Sequence, residues 1–255
     1  MIKQITFLIT AALLLIYPVE IFSEDSDRGR EIFDQVDAQR KTITYETSTM
    51  EMRIIDSRDR VRTRNLTMYT FSADDEDKSL AVFNSPADVR GTGLLSITED
   101  GNTLQLLYLP ALGRTQSISG SQRTERFMGS DFTYEDLGNQ DPDDFDFELL
   151  EDTGEIIRIE AIPKTESQYD RIIYHIDPDR FILLKSEYFY GGDQIKELTA
   201  SEYNEVRDGI WRPDKMVMRD LKNNRRTELV WSERSFDEEI PDRYFTERHL
   251  QRGLR

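Results

Sequence analysis

The chain has 255 residues, with 33 Lys or Arg against 50 Asp or Glu, so its formal charge is −17 with two His and no Cys. A 37% hydrophobic content supplies a packed core and excludes a disordered chain. The acidity argues against nucleic acid and against electrostatic adsorption to anionic lipid, and without Cys neither disulfides nor a lipidated N-terminal cysteine are available.

Residues 1–4 (MIKQ) precede twelve mostly apolar residues, 5–16, and then Pro18. About 20 apolar residues are needed to span a bilayer, so this stretch reads as a signal peptide over 1–23. Ser23 before Glu24 marks the expected cleavage point. The remainder, 24–255, is expected to form one exported domain that carries no lipid anchor.

Ile32, Phe33, Val36 and Ala38 recur at helical spacing within residues 27–41, which predicts one amphipathic helix. The period then falls to two. Met50, Met52 and Ile54 alternate with polar residues, and a second alternating strand follows at 62–71 after a turn at Ser57-Arg58-Asp59. Further strands are predicted at 80–83, 93–98, 103–109, 148–150, 156–162, 168–176, 181–190, 197–206, 216–221 and 227–233. Short connectors such as Gly191-Gly192-Asp193 and Asn223-Asn224 separate them. Connections this short hold no crossover helix, so the fold class is mainly β: one large antiparallel sheet, curled, with an N-terminal helix and short lid helices. Two lids are expected, one helical turn at 85–91 and a short helix at 130–137 capped by Ser130 or Asp131. The acidic run at 141–146 reads as a linker within the domain.

Chemistry is poorly signalled. His175 sits within a strand and His249 in the charged C-terminal segment, and no Gly-x-Ser-x-Gly elbow occurs. Asp141, Asp143, Asp144 and Asp146 lack the Gly and Glu spacing of a calcium loop. No cofactor, metal site or catalytic residue is expected. The strands, however, are rich in methionine, a flexible and polarizable side chain suited to walls that meet varied acyl chains. The candidate cavity residues are Met50 and Met52, Leu66 and Met68, Leu104 and Leu106, then Leu183, Met216, Met218 and Trp231 from the later strands. Met128, Phe132 and Tyr134 complete them as caps from the lid region.

Four ordered blocks, 83–95 (FNSPADVRGTGLL), 107–114 (LYLPALGR), 127–137 (FMGSDFTYEDL) and 208–213 (DGIWRP), resemble the outer-membrane lipoprotein-sorting proteins of the LolA-like superfamily. The resemblance implies an incomplete β-barrel of about eleven strands around an apolar cavity. It further implies a soluble periplasmic carrier of lipid or of the acyl chains of lipoproteins, with an inner-membrane transporter of the RND/MMPL or ABC type as a partner. Two other readings stand beside the carrier: a sensor or adaptor module for a transporter or an envelope-stress regulator, and a lipid hydrolase using Ser, His and acidic residues brought together by folding, with His175 as the residue to test.

Overall fold

The computed structural model describes residues 22–73, 76–138 and 141–252; residues 1–21 of the expected signal segment lie outside them, and the expected cleavage point after Ser23 falls within the first turn of the first helix. The described residues begin with α1 (Phe22–Lys41), which starts earlier than the periodicity at 27–41 predicts. A first meander follows: β1 (Tyr45–Ile55), β2 (Val61–Ser72), β3 (Glu76–Ser85), β4 (Gly93–Glu99), β5 (Asn102–Leu109) and β6 (Arg114–Ile118). A second comprises β7 (Phe145–Asp152), β8 (Ile157–Pro163), β9 (Arg171–Asp177), β10 (Ile182–Tyr190), β11 (Asp193–Arg207), β12 (Ile210–Asp220) and β13 (Arg225–Phe236). The chain ends with a 3-10 turn at Asp242–Phe245 and α2 (Glu247–Arg252).

The thirteen strands among the described residues form one antiparallel sheet in the order β6-β5-β4-β3-β2-β1-β13-β12-β11-β10-β9-β8-β7. Pairing of β1 with β13, from Glu46↔Phe236 to Ile55↔Arg226, zips the two meanders together. The outer strands β6 and β7 do not pair, so the sheet curls without closing. Each of the twelve strands read from alternation has its counterpart. The strand without one is β6, whose sequence Arg114–Ile118 is polar except at its end and is paired only along β5.

Between the two edges, residues 119–138 and 141–144 form a strap along the concave side. Here the expected lid helix at 130–137 is replaced by a 3-10 turn at Phe127–Gly129, an extended run and one closing turn. The reason is competition for the caps. Asp131 accepts from Thr227 Oγ1 at 2.8 Å, and the Ser130 hydroxyl bonds the backbone of Phe132 at 3.2 Å, so neither is free to start a helix. The reciprocal capping pair is instead Thr133 with Asp136: Thr133 N–H donates to Oδ2 at 2.7 Å and Asp136 N–H to the Thr133 hydroxyl at 3.3 Å. The segment at 85–91 is a turn in which Arg90 N–H donates to the Pro86 carbonyl at 3.0 Å, ending at Gly91 with φ +79°. The acidic stretch near 141 is a single 3-10 turn, Pro142–Asp144, that leads directly into edge strand β7.

Alternation sorts the side chains onto two faces. On the concave face lies the main core, built from Met50, Met52, Leu66, Phe83, Ile159 and Tyr174 with Phe127, Phe132 and Tyr134 of the strap. On the convex face a smaller cluster, Leu80, Val82 and Leu95, is covered by Ile240, Phe245 and Leu250 of the C-terminal segment. β3 is therefore buried on both faces. α1 lies over β7 and the adjoining opening, with the Phe33 ring 4.7 Å from Phe147 and 5.2 Å from Tyr174. The helix comes close because residue 29 is Gly: an added Cβ would stand 3.0 Å from the Glu148 carbonyl carbon and 3.1 Å from the Leu149 nitrogen. Gly29→Val is expected to push α1 off the sheet edge and lose about 1–3 kcal/mol in urea unfolding; unchanged stability would show that α1 rides freely there.

Candidate functional site

Between α1 and the concave face of β9–β13 the sheet leaves a cavity of about 490 Å³. The volume lies within the range of pockets that hold small molecules, about 300–1,000 Å³. The wall is apolar where β9 to β13 curve beneath the helix: Tyr174, Leu183, Leu198, Met216, Leu229 and Trp231, with Phe33 and Val36 from α1 above them. These positions converge because i, i+2 residues of successive antiparallel strands stack in register. Leu198↔Met218 and Met216↔Leu229 are direct partners, and β11, β12 and β13 are neighbours.

The opposite wall, on β2 to β4, is different. Thr70, Ser79 and Ser96 line it, and they stand directly across from one another, Thr70 with Ser79 and Ser79 with Ser96.

Charge holds the two covers in place. Lys196 on β11 donates to Asp136 Oδ2 at 3.0 Å and to the Tyr169 hydroxyl oxygen at 2.9 Å, while that hydroxyl donates to Asp136 Oδ1 at 2.5 Å. The Asp136 side chain is only 2% exposed, so this cluster is a buried, fully bonded anchor for the strap. Burial, with the nearby Asp136 charge, pushes the Tyr169 hydroxyl well above its ordinary pKa. A second anchor joins the strap to the β12–β13 hairpin through Arg126, which pairs with Asp131 and Asp220, and through Arg225, 3.1 Å from Asp131. Burial alone would raise the Asp220 carboxyl, but Asn223 and the Arg126 charge bring it below the usual carboxylate range. At the other cover, Arg40 near the end of α1 pairs with Asp77 on β3 at 3.0 Å, and Arg212 donates to the carbonyls of Gln39 at 3.2 Å and Arg40 at 2.8 Å.

The Arg40–Asp77 latch carries a pH signature. Burial tends to raise the Asp77 carboxyl, yet the hydrogen bond and charge of Arg40 outweigh it and hold the group below its ordinary value. A depressed carboxylate stabilises the fold above its unfolded pKa, near 4, and loses that contribution as pH falls through the folded value. Asp77→Asn is expected to cost up to about 1 kcal/mol at pH 7, since Arg40 is partly exposed, and much less at pH 3. Equal losses at both pH values would show that the ion pair contributes nothing.

The structure distributes the sequence-derived cavity candidates over four environments. Phe132, Leu183, Met216 and Trp231 line the cavity. Met50, Met52, Leu66, Tyr134 and Met218 are buried in the main core, and Met68 and Met128 are half-buried against it. Leu106 belongs to the convex cluster. Leu104 is 46% exposed. Sequence reasoning missed Phe33, Tyr174, Leu198 and Leu229, whose alternation marked them only as strand or helix interior. Both histidines lie elsewhere: His175 is opposite in parity to the lining residues Tyr174 and Ile176 and sits 3.4 Å from Glu187, while His249 stacks on Tyr244. Among the described residues no grouping of acidic or His side chains has the arrangement of a metal site. Asp143 pairs with Arg30 at 2.8 Å and Asp146 with Lys164 at 3.3 Å. No helix among the described residues is long and apolar enough to cross a membrane.

No curated protein matches the chain. A family model described as an uncharacterized protein matches residues 75–252. Among solved structures, a domain from Vibrio parahaemolyticus described as an outer membrane lipoprotein-sorting protein is 30% identical, with a TM-score of 0.84 over 89% of this chain and 99% of that one. A DUF1329 family protein from Desulfovibrio piger is 28% identical, with a TM-score of 0.83 over 89% and 99% of the two chains. A LolA superfamily protein from Nitrosomonas europaea shares the fold at 16% identity, with a TM-score of 0.68 over 87% and 98%. With the family model spanning most of the sequence and the Vibrio domain matched over almost its full length, the chain belongs to the DUF1329-like family, together with that domain, and has the fold of the LolA-like proteins.

Proposed function

We propose that the protein is a periplasmic carrier that shelters the acyl chain of a lipid or lipoprotein during its transfer to the outer membrane. The observation that carries this reading is the cavity itself: about 490 Å³ of space walled by Phe33, Leu183, Leu198, Met216 and Trp231 and left unfilled by the strap. Each methylene buried there is worth about 0.8 kcal/mol, so ten methylenes offer roughly 8 kcal/mol before the costs of ordering. That sum offsets the similar cost of drawing the same methylenes out of a bilayer, so exchange between membrane and cavity is close to balanced and the cargo can be released when α1 or the strap moves. Residues 1–23 would direct export, and an RND/MMPL or ABC transporter would supply or receive the cargo. The chemistry needs no covalent step, and neither imidazole lies on the cavity wall, which disfavours the hydrolase reading.

Native mass spectrometry of the protein purified from its own envelope tests the proposal. The wild type is expected to carry a bound lipid mass. Leu198→Trp, which inserts an indole into the cavity, is expected to reduce that occupancy at least about tenfold with the fold intact by circular dichroism. A wild-type spectrum of the bare polypeptide from every preparation would overturn it. Met218 is unsuitable for such a test, because it is 0% exposed within the core and a polar substitution there would unfold the sheet.

A further inference from the structure

Resting on the carrier reading, we infer that the cavity selects an amphiphile whose polar part is uncharged and both donates and accepts hydrogen bonds, the class of acylglycerols with a free hydroxyl, over fatty acids and other charged lipids. Two observations carry this. First, every charged side chain that lines the cavity among the described residues already has an opposite partner. Asp37 and Asp77 pair with Arg40, Asp136 with Lys196, Arg212 with Glu46 and Lys78 with Glu76. A carboxylate or phosphate brought inside would have to break one of these pairs or remain uncompensated, and a buried uncompensated charge is costly.

Second, hydrogen-bonding capacity is left over. Ser96 is only 6% exposed and its hydroxyl has no partner; Gln39, from α1 on the other side of the cavity, has a buried Oε1 with none, although its amide nitrogen donates to the Gly209 carbonyl at 3.1 Å. Both residues line the cavity. Buried polar atoms are ordinarily satisfied, so two orphans on residues that line one space mark the positions a ligand completes. A serine hydroxyl can donate to an ester carbonyl, and an amide oxygen can accept from an alcohol. Ser96 also stands beside Ser79 and Thr70 in one cross-strand row, which gives the ester region a polar track opposite the greasy wall.

Both tryptophans of the chain, Trp211 and Trp231, line the cavity, so their emission reports its filling. The experiment titrates delipidated full-length protein at pH 8 with 1-dodecanoylglycerol, dodecanoate and dodecane, which share one chain length. The acylglycerol is expected to bind about tenfold more tightly than dodecanoate, and Ser96→Ala is expected to weaken it about fivefold without changing dodecane, the scale of one or two net hydrogen bonds. Gln39→Met provides the second variant, with a loss of the same size. Equal affinities for the three probes, or acylglycerol binding unchanged in both variants, would overturn this inference and leave the carrier standing. Binding of none of the three would overturn the carrier reading and this inference together.

Discussion

Replacing Asp136 by Ala is expected to cost about 3–5 kcal/mol, because it strands the Lys196 ammonium and the Tyr169 hydroxyl in a buried site without their acceptor. Lys196 is 9% exposed and reaches Asp136 at 3.0 Å, so solvent cannot easily replace the carboxylate. The same carboxylate takes the Thr133 N–H that closes the strap's last turn, so the loss should also loosen residues 133–138. Equilibrium urea unfolding measures the first effect and amide exchange at Thr133 the second. The double variant Asp136→Leu/Lys196→Met separates charge from packing. If the penalty comes from an uncompensated charge, the double variant should recover most of it; if it is as unstable as Asp136→Ala alone, the explanation fails.

Phe83→Ala should have an effect of similar size, about 3–5 kcal/mol, for a different reason. Phe83 is 1% exposed on β3, its ring centroid lies 5.6 Å from Phe127 of the strap, and Phe127 in turn lies 5.7 Å from Tyr134. Removing the ring opens a void beneath the strap where the sheet and its cover meet. Phe83→Leu keeps most of the volume and should lose less than half as much. If Leu and Ala cost the same, the aromatic chain through Phe127, and not filled volume, holds the strap. Because Phe83 does not line the cavity, ligand occupancy at temperatures where the variant remains folded should be close to wild type.

The two losses bear on function through one geometric fact. Phe127 and Tyr134 of the strap are buried in the main core with Met50, Met52 and Leu66, whereas Phe132, Leu137 and Gly138 of the strap border the cavity that Leu198 and Met216 line. Packing near Phe83 and the buried cluster at Asp136 set where filled core ends and cavity begins.

Much of this architecture was legible from period alone. Residues such as Met50, Met52 and Ile54 alternate with polar neighbours, and short Gly, Asn and Asp connectors leave antiparallel pairing as the only economical arrangement, so strand identity is a local property. The family resemblance was equally local, carried by short blocks such as DGIWRP. Which apolar residues would surround empty space was not local. Met50 and Met216 have the same chemistry and the same alternating context, yet one is 4% exposed in the packed core and the other lines the cavity. The difference is made by the strap, residues 119–138 and 141–144, where the helix expected at 130–137 does not form because one of its caps is taken by a partner nearly a hundred residues away, Asp131 by Thr227. Sequence determined the sheet, its faces and the acidity of the chain, because each depends on neighbours within a few residues. Only the tertiary structure decided which part of the concave face stays open, because that depends on where one irregular segment finds its buried charge partners.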